Sequence, residues 1–179
     1  NSRQVVAMNL GLAYWHQGKM DEAEKTLSEA METARQIGNH YAALTSLIFL
    51  GRVFAVRGRL HQAEEYFKRA IHMGDEMPIN TLAYMDLAAL HYEWNQLEQS
   101  QEDLQKAFIL CQRMQNDEFL AACWLLASRL RIAQGDLSGA GEALEQAWVL
   151  ARSGKIPETM VNRLYSAQAR GLLHKGQSS

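Results

Sequence analysis

One spacing recurs along this chain and leaves few folds open to it. From Gly11, offsets of 3, 7, 12, 16 and 19 residues reach Tyr14, Gly18, Ala23, Leu27 and Ala30. From Gly51 the same steps reach Phe54, Gly58, Ala63, Phe67 and Ala70. From Ala88 they reach His91, Asn95, Ser100, Leu104 and Ala107; from Ser128, Arg131, Gly135, Ala140, Leu144 and Ala147. A fifth copy begins at Ala169 with Leu172 and Gly176. The turn residues Gly18, Gly58, Asn95, Gly135 and Gly176 are therefore 40, 37, 40 and 41 residues apart. Self-similarity at this period marks a stacked-repeat architecture, in which one supersecondary unit cannot bury its apolar surface alone.

The units read as helix pairs. Val6, Leu10, Ala13 and Tyr14 recur at helical spacing on one side of a first helix. Leu47, Leu50, Phe54 and Leu60, and later Leu104, Phe108 and Cys111, continue the pattern. Ala, Leu, Glu, Gln and Lys dominate between the breaks, and all favour helix. Gly18, Gly58 and Gly135 can adopt the left-handed conformation that ends a helix, with Asn95 the next-best residue for it. Asp21 and Ser138 are candidate N-caps. Pro78 and Pro157 fall at the second kind of break, where proline can open a helix. The expected helices are 4–17, 21–37, 41–57, 61–75, 79–94, 98–115, 118–134, 138–153 and 158–175. Glycine and alanine at fixed positions imply close helix crossings. Gly11 and Ala23 would form one within the first pair, and Ala30 another against the next pair.

Composition narrows the class. Of 179 residues, 47% are apolar and 21% charged, the balance of a folded chain. A net charge of −2 lacks the basic excess of a nucleic-acid-binding domain. No apolar run approaches the roughly 20 residues needed to span a bilayer, and no basic-then-apolar leader opens the sequence. A cytoplasmic location is the expectation. Cys111 and Cys123 are too few for a disulfide framework and read as two reduced, partly buried thiols.

The offsets resemble the tetratricopeptide repeat from Ala7 to Gly176. The resemblance implies an all-α fold: a right-handed superhelix of antiparallel helix pairs, about nine helices in all. The repeats would be 4–40, 41–77, 78–117, 118–156 and a partial 157–179, forming one domain. The pattern is strong in the first two copies. In the third and fourth, Ala88 and Ser128 replace glycine, and His91 and Arg131 replace the aromatic residue. A narrower resemblance lies in "AYMDLAALHYEWNQLEQSQEDLQKAFILCQRMQND" and "LLASRLRIAQGDLSGAGEALEQA". Leu90, Tyr92, Glu93, Trp94, Asn95, Leu97 and Glu98 carry it. These stretches are similar to the helical sensor region of MalT-type, LuxR-class transcription regulators. That resemblance implies a middle segment, flanked in the parent by an ATPase and a helix-turn-helix. Gly176 would then open a turn toward a further helix.

The sequence offers little chemistry. It has no G-x-x-x-x-G-K-[ST] loop and no H-E-x-x-H. Its six histidines do not cluster with cysteine at zinc spacing. No catalytic residue, metal ligand or cofactor is assigned, and an enzyme is not expected. In the tetratricopeptide family the first helix of each pair lines a concave groove. Carried onto this chain, the residue after the small one is Leu12, Arg52, Ala89, Arg129 and Arg170. Three before it stand Met8, Ile48, Met85, Leu125 and Ser166; four after it, Trp15, Ala55, Tyr92, Ile132 and Leu173. Arg52, Arg129, Arg170, Met85, Tyr92, Trp15, Met8 and Ile48 are thus the candidate groove residues. Arginine could hold a carboxylate or phosphate with two hydrogen bonds. It could equally be solvated or paired with a nearby Glu. Met8, Ile48, Trp15 and Tyr92 could instead be core. Met8 and Leu12 stand where the carboxylate-clamp subtype of the family has Lys and Asn, which argues against chaperone-tail recognition.

Two functions remain open. One is a sensor and interaction domain that accepts a small inducer, a protein or a peptide in the groove, alongside the parent's other domains. The other is a protein–protein scaffold or self-association module working through the end helices. Neither calls for direct contact with nucleic acid or membrane.

Overall fold

A computed structural model describes residues 3–74, 77–154 and 156–177, with side chains up to residue 168. The described residues form nine α-helices and no strand. These are α1 (Arg3–His16), α2 (Met20–Gln36), α3 (His40–Val56), α4 (Leu60–Met73), α5 (Asn80–Glu93), α6 (Leu97–Met114), α7 (Asp117–Ala133), α8 (Leu137–Arg152) and α9 (Glu158–Gln177). Every end lies within two residues of its expected position. The chain divides into two compact units, Asn1–Leu87 and Ala88–Ser179, with the boundary inside α5. In the first unit α1 packs on α2, α2 on α3 and α3 on α4, and α1 also touches α3. In the second, α6 packs on α7, α7 on α8 and α8 on α9, and α7 also touches α9. Each unit is therefore built of hairpins whose odd-numbered helices pack directly on one another.

The turn within each hairpin is closed by the same bond. The amide after the turn residue donates to the carbonyl five residues back: Lys19 N to Tyr14 O (2.9 Å), Arg59 N to Phe54 O (2.9 Å), Gln96 N to His91 O (2.8 Å) and Asp136 N to Arg131 O (2.9 Å). This bond needs a left-handed residue at the turn. Gly18, Gly58 and Gly135 supply it at φ 74°, 75° and 82°, and Asn95 at 58°. Gly176 does not turn: α9 continues to Gln177. Glycine permits the left-handed conformation without compelling it. The N-caps also differ from expectation. α2 and α8 start one residue earlier, so Asp21 and Ser138 lie in the first turn. Asp136 caps α8, accepting from Gly139 N at 2.8 Å. Asn39 and Asn116 do the same for α3 and α7.

The repeated small residues mark close crossings, and Gly11 sits directly on Leu27 of α2, where Ala23 is also fully buried. A Cβ on Gly11 would lie 2.6 Å from Leu27 Cγ, and one on Gly51 would lie 2.5 Å from the Phe67 ring. Ala30 meets the next hairpin as expected, in a core cluster with Met8, Ala34, Ala42 and Ala43. In the second unit polar groups take over the same register. Ser100 Oγ donates to Ala88 O (2.7 Å), and Ser128 Oγ donates to Ala140 O (2.9 Å). The bond spans twelve residues in both hairpins and runs in opposite directions. His91 Nδ1 lies 2.7 Å from Asp103 Oδ2, and Arg131 Nη1 donates to Gly139 O at 2.6 Å. His91 and Arg131, which stand where the first two repeats have aromatics, are thus ties between paired helices.

The outward side of α1 is a correction. Val6 and Leu10 are 63% and 45% exposed, and Ala13 is exposed too. α1 instead packs through Gln4, Met8 and Gly11. Helical periodicity identifies a stripe, but the neighbouring helices decide which stripe is covered.

Candidate functional site

The expected groove positions separate into two groups. Met8 and Ile48 are 4% and 0% exposed. They belong to the core, because direct packing of α1 on α3 closes over the positions three before each glycine. Trp15, Arg52, Met85, Tyr92 and Arg129 are all half-buried, the Arg129 side chain being more open than that of Arg52. The side chain of Arg170 lies outside the described residues.

Arg52 and Arg129 each sit on an aromatic ring contributed by the preceding odd-numbered helix. In the first unit, Arg52 Cζ of α3 lies 5.9 Å from the Trp15 ring centroid of α1 and 5.0 Å from that of Phe49. Trp15 and Phe49 meet edge to face, 5.3 Å apart at 84°. In the second unit, Arg129 Cζ of α7 lies 4.6 Å above Tyr92 of α5. The register is the same in both: the residue after one small position stacks on the residue four after the previous one. A guanidinium over a ring face is held by the ring quadrupole.

Both arginines also hold carboxylates. Arg52 Nε donates to Asp86 Oδ2 at 2.6 Å and Nη2 to Oδ1 at 3.3 Å, a two-pronged pair. Burial pushes the Asp86 carboxyl above the ordinary carboxylate range, against the pull of Arg52. Arg129 Nη2 donates to Glu93 Oε1 at 2.9 Å, in a pair with side chains 37% and 61% exposed. The paired reading of these arginines holds for both. Asp86 had no sequence signal, standing 34 residues from Arg52 on a different helix. A further ion-pair group was also unforeseen: Arg57 at the end of α3 bonds both Asp21 and Glu24 of α2.

Cys111 and Cys123 come together, with Sγ atoms 3.7 Å apart and both buried. The hydrogen bond to Cys111, reinforced by burial, holds the Cys123 thiol well above its usual range. The bond from Cys123 pulls Cys111 down. Among the described residues no three His, Cys, Asp or Glu side chains are grouped to hold a metal ion. No described helix is long and apolar enough to cross a membrane.

Solved structures share this fold. BtubC from P. vanneervenii superposes at a TM-score of 0.75 with 17% identity, over 94% of this chain and 73% of that one. A putative kinesin light chain from Podosopora anserina with nearly identical TPR-like repeats gives 0.69 and 21%, over 99% and 91%. A thermophilic TPR protein from Thermus thermophilus gives 0.62 and 18%, over 94% and 90%. No curated protein matches the chain. The family model of the MalT-like TPR region matches residues 1–179 in full, and the chain belongs to that family.

Proposed function

We propose that this chain is the effector-sensing and interaction segment of a MalT-like, LuxR-class transcription regulator, and that its arginine–aromatic faces receive a protein partner. The carrying observation is the repeated stack: Arg52 on Trp15 and Phe49 in one unit, Arg129 on Tyr92 in the other. Arginine, tryptophan and tyrosine are the residues that most often dominate binding energy at protein interfaces. Here their side chains are already held in place, which lowers the entropy lost on association. The carboxylates of Asp86 and Glu93 already neutralise the two guanidinium groups. That favours a protein or peptide surface over a free anionic metabolite as the ligand. The other domains of the parent regulator are the natural first partners. Binding would act through a difference in affinity between two states of that regulator.

Calorimetric titration of this chain with the remaining segments of its parent tests the reading. R129A and W15A should each weaken the complex at least tenfold while the chain stays folded. Unchanged affinity in both variants refutes the assignment. A thermal-shift screen with sugars, phosphates and acidic metabolites tests the inducer reading. A stabilising hit abolished by R129A would move the assignment to a small inducer.

A further inference from the structure

The fourth repeat departs from the first three at three positions together. Where they have Tyr14, Phe54 and His91, it has Arg131. Where they have Lys19, Arg59 and Gln96, it has Asp136. Glu22, Gln62 and Gln99 give way to Gly139. The fold brings these three changes to one place. Arg131 Nη1 donates to Gly139 O at 2.6 Å, and Gly139 N donates to Asp136 Oδ1 at 2.8 Å. A Cβ on Gly139 would lie 2.0 Å from Asp136 Oδ2 and 3.1 Å from Arg131 Cδ, so any side chain there would displace the acid. Glycine thus lets an acid and a base crowd around a single residue.

Those two charges are tied to the Gly139 backbone but not to each other. Among the described residues, Arg131 Nε and Nη2 have no acceptor and Asp136 Oδ2 has no donor. Both side chains line a crevice of about 420 Å³ between α6 and α7. The rest of its wall is largely apolar, with Leu104 and Phe108 of α6 and Trp124 of α7. The Phe108 and Trp124 rings pack at 4.5 Å. The volume falls within the roughly 300–1,000 Å³ of small-molecule sites, which combine apolar walls with a few placed polar groups.

The placed groups select the ligand. A carboxylate can take two hydrogen bonds from the open side of a guanidinium. A ligand with a carboxylate alone would set it beside Asp136, and one with an ammonium alone would set it beside Arg131. Like charges repel in each case. A ligand carrying both groups on one carbon answers both at once. We propose that the α6–α7 crevice binds a free α-amino acid with a large apolar side chain. Its carboxylate accepts from Arg131, its ammonium donates to Asp136 Oδ2, and its side chain lies against Phe108 and Trp124. The site does not depend on a partner at Arg52 or Arg129.

Calorimetric titration with L-phenylalanine at neutral pH, paired with 1H–15N spectra of the tryptophan indoles, tests this. The expected result is saturable binding with a shift of the Trp124 indole resonance. 3-Phenylpropionate, 2-phenylethylamine and L-alanine each lack one of the three groups and should bind at least tenfold more weakly. Asparagine caps a helix as well as aspartate does, so D136N should keep the unfolding midpoint. It should nevertheless weaken L-phenylalanine at least tenfold while leaving 3-phenylpropionate no weaker. R129A should leave binding unchanged. No saturable binding of L-phenylalanine, equal binding of 3-phenylpropionate, or undiminished binding by folded D136N overturns the proposal.

Discussion

Gly51 lies so close beneath Phe67 that a methyl group on residue 51 would stand 2.5 Å from the ring. The same relationship joins Gly11 to Leu27, with a step of sixteen residues between partners in both cases. Glycine in mid-helix costs roughly 1 kcal/mol against alanine. The chain tolerates that cost because the close crossing buries Phe67, worth about 1.5–3 kcal/mol. G51A should therefore destabilise the first unit by about 1–3 kcal/mol through overpacking, despite its better propensity. G51A/F67L should recover most of the loss. Urea unfolding followed by circular dichroism measures both.

Polar ties replace this device in the second unit. The Ala88 and Ala140 carbonyls accept from Ser100 and Ser128 across the hairpins. S100A and S128A should each cost about 0.5–1.5 kcal/mol. The two serines lie in different hairpins, so their effects should add in the double variant. Denaturant midpoints of the four proteins check this.

His91 and Asp103 are only 9% and 15% exposed. H91F restores the aromatic residue of the first two repeats but withdraws a partner from a largely buried carboxylate. It should destabilise by about 3 kcal/mol. H91F/D103L should return much of that stability by making the contact apolar. A double-mutant cycle in urea gives the coupling energy directly.

Asp86 gives the first unit a pH dependence of definite sign. Its folded-state pKa is raised, chiefly by burial. The folded protein therefore holds that proton more tightly than the unfolded chain does. The resulting stabilisation is complete below about pH 3.9, the ordinary aspartate value. It is lost as pH rises through the higher folded value. D86N should flatten this part of the stability–pH curve. Urea midpoints for wild type and D86N across the acid range measure the difference.

What could be read from the sequence follows from how local each signal is. Gly18, Gly58, Asn95 and Gly135 announced the hairpin turns, because the left-handed conformation strongly favours these residue types. The helix ends followed from the turns. The polar ties of the third and fourth repeats were not read. Replacing glycine by Ala88 or Ser128 looks like decay of the pattern until the hydroxyl partners, twelve residues away, are in view. Arg52 and Arg129 share one stacking register, on Trp15 and on Tyr92, while the side chain of Arg170 lies outside the described residues. The carboxylates that Arg52 and Arg129 hold on other helices could not be found, since no local spacing links Arg52 to Asp86. Met8 and Ile48 show the opposite limit. Family register put them on a surface that the packing of α1 on α3 covers.

The central claim is that the stacked arginine–aromatic pairs form the partner-binding faces. The most direct measurement is 1H–15N chemical-shift mapping of this chain titrated with the other segments of the proposed parent regulator. The account expects the largest shifts at the Trp15 indole and the Arg52 and Arg129 side-chain N–H groups, with the buried Ile48 amide little changed. Saturable binding that leaves all three side chains unshifted would contradict it.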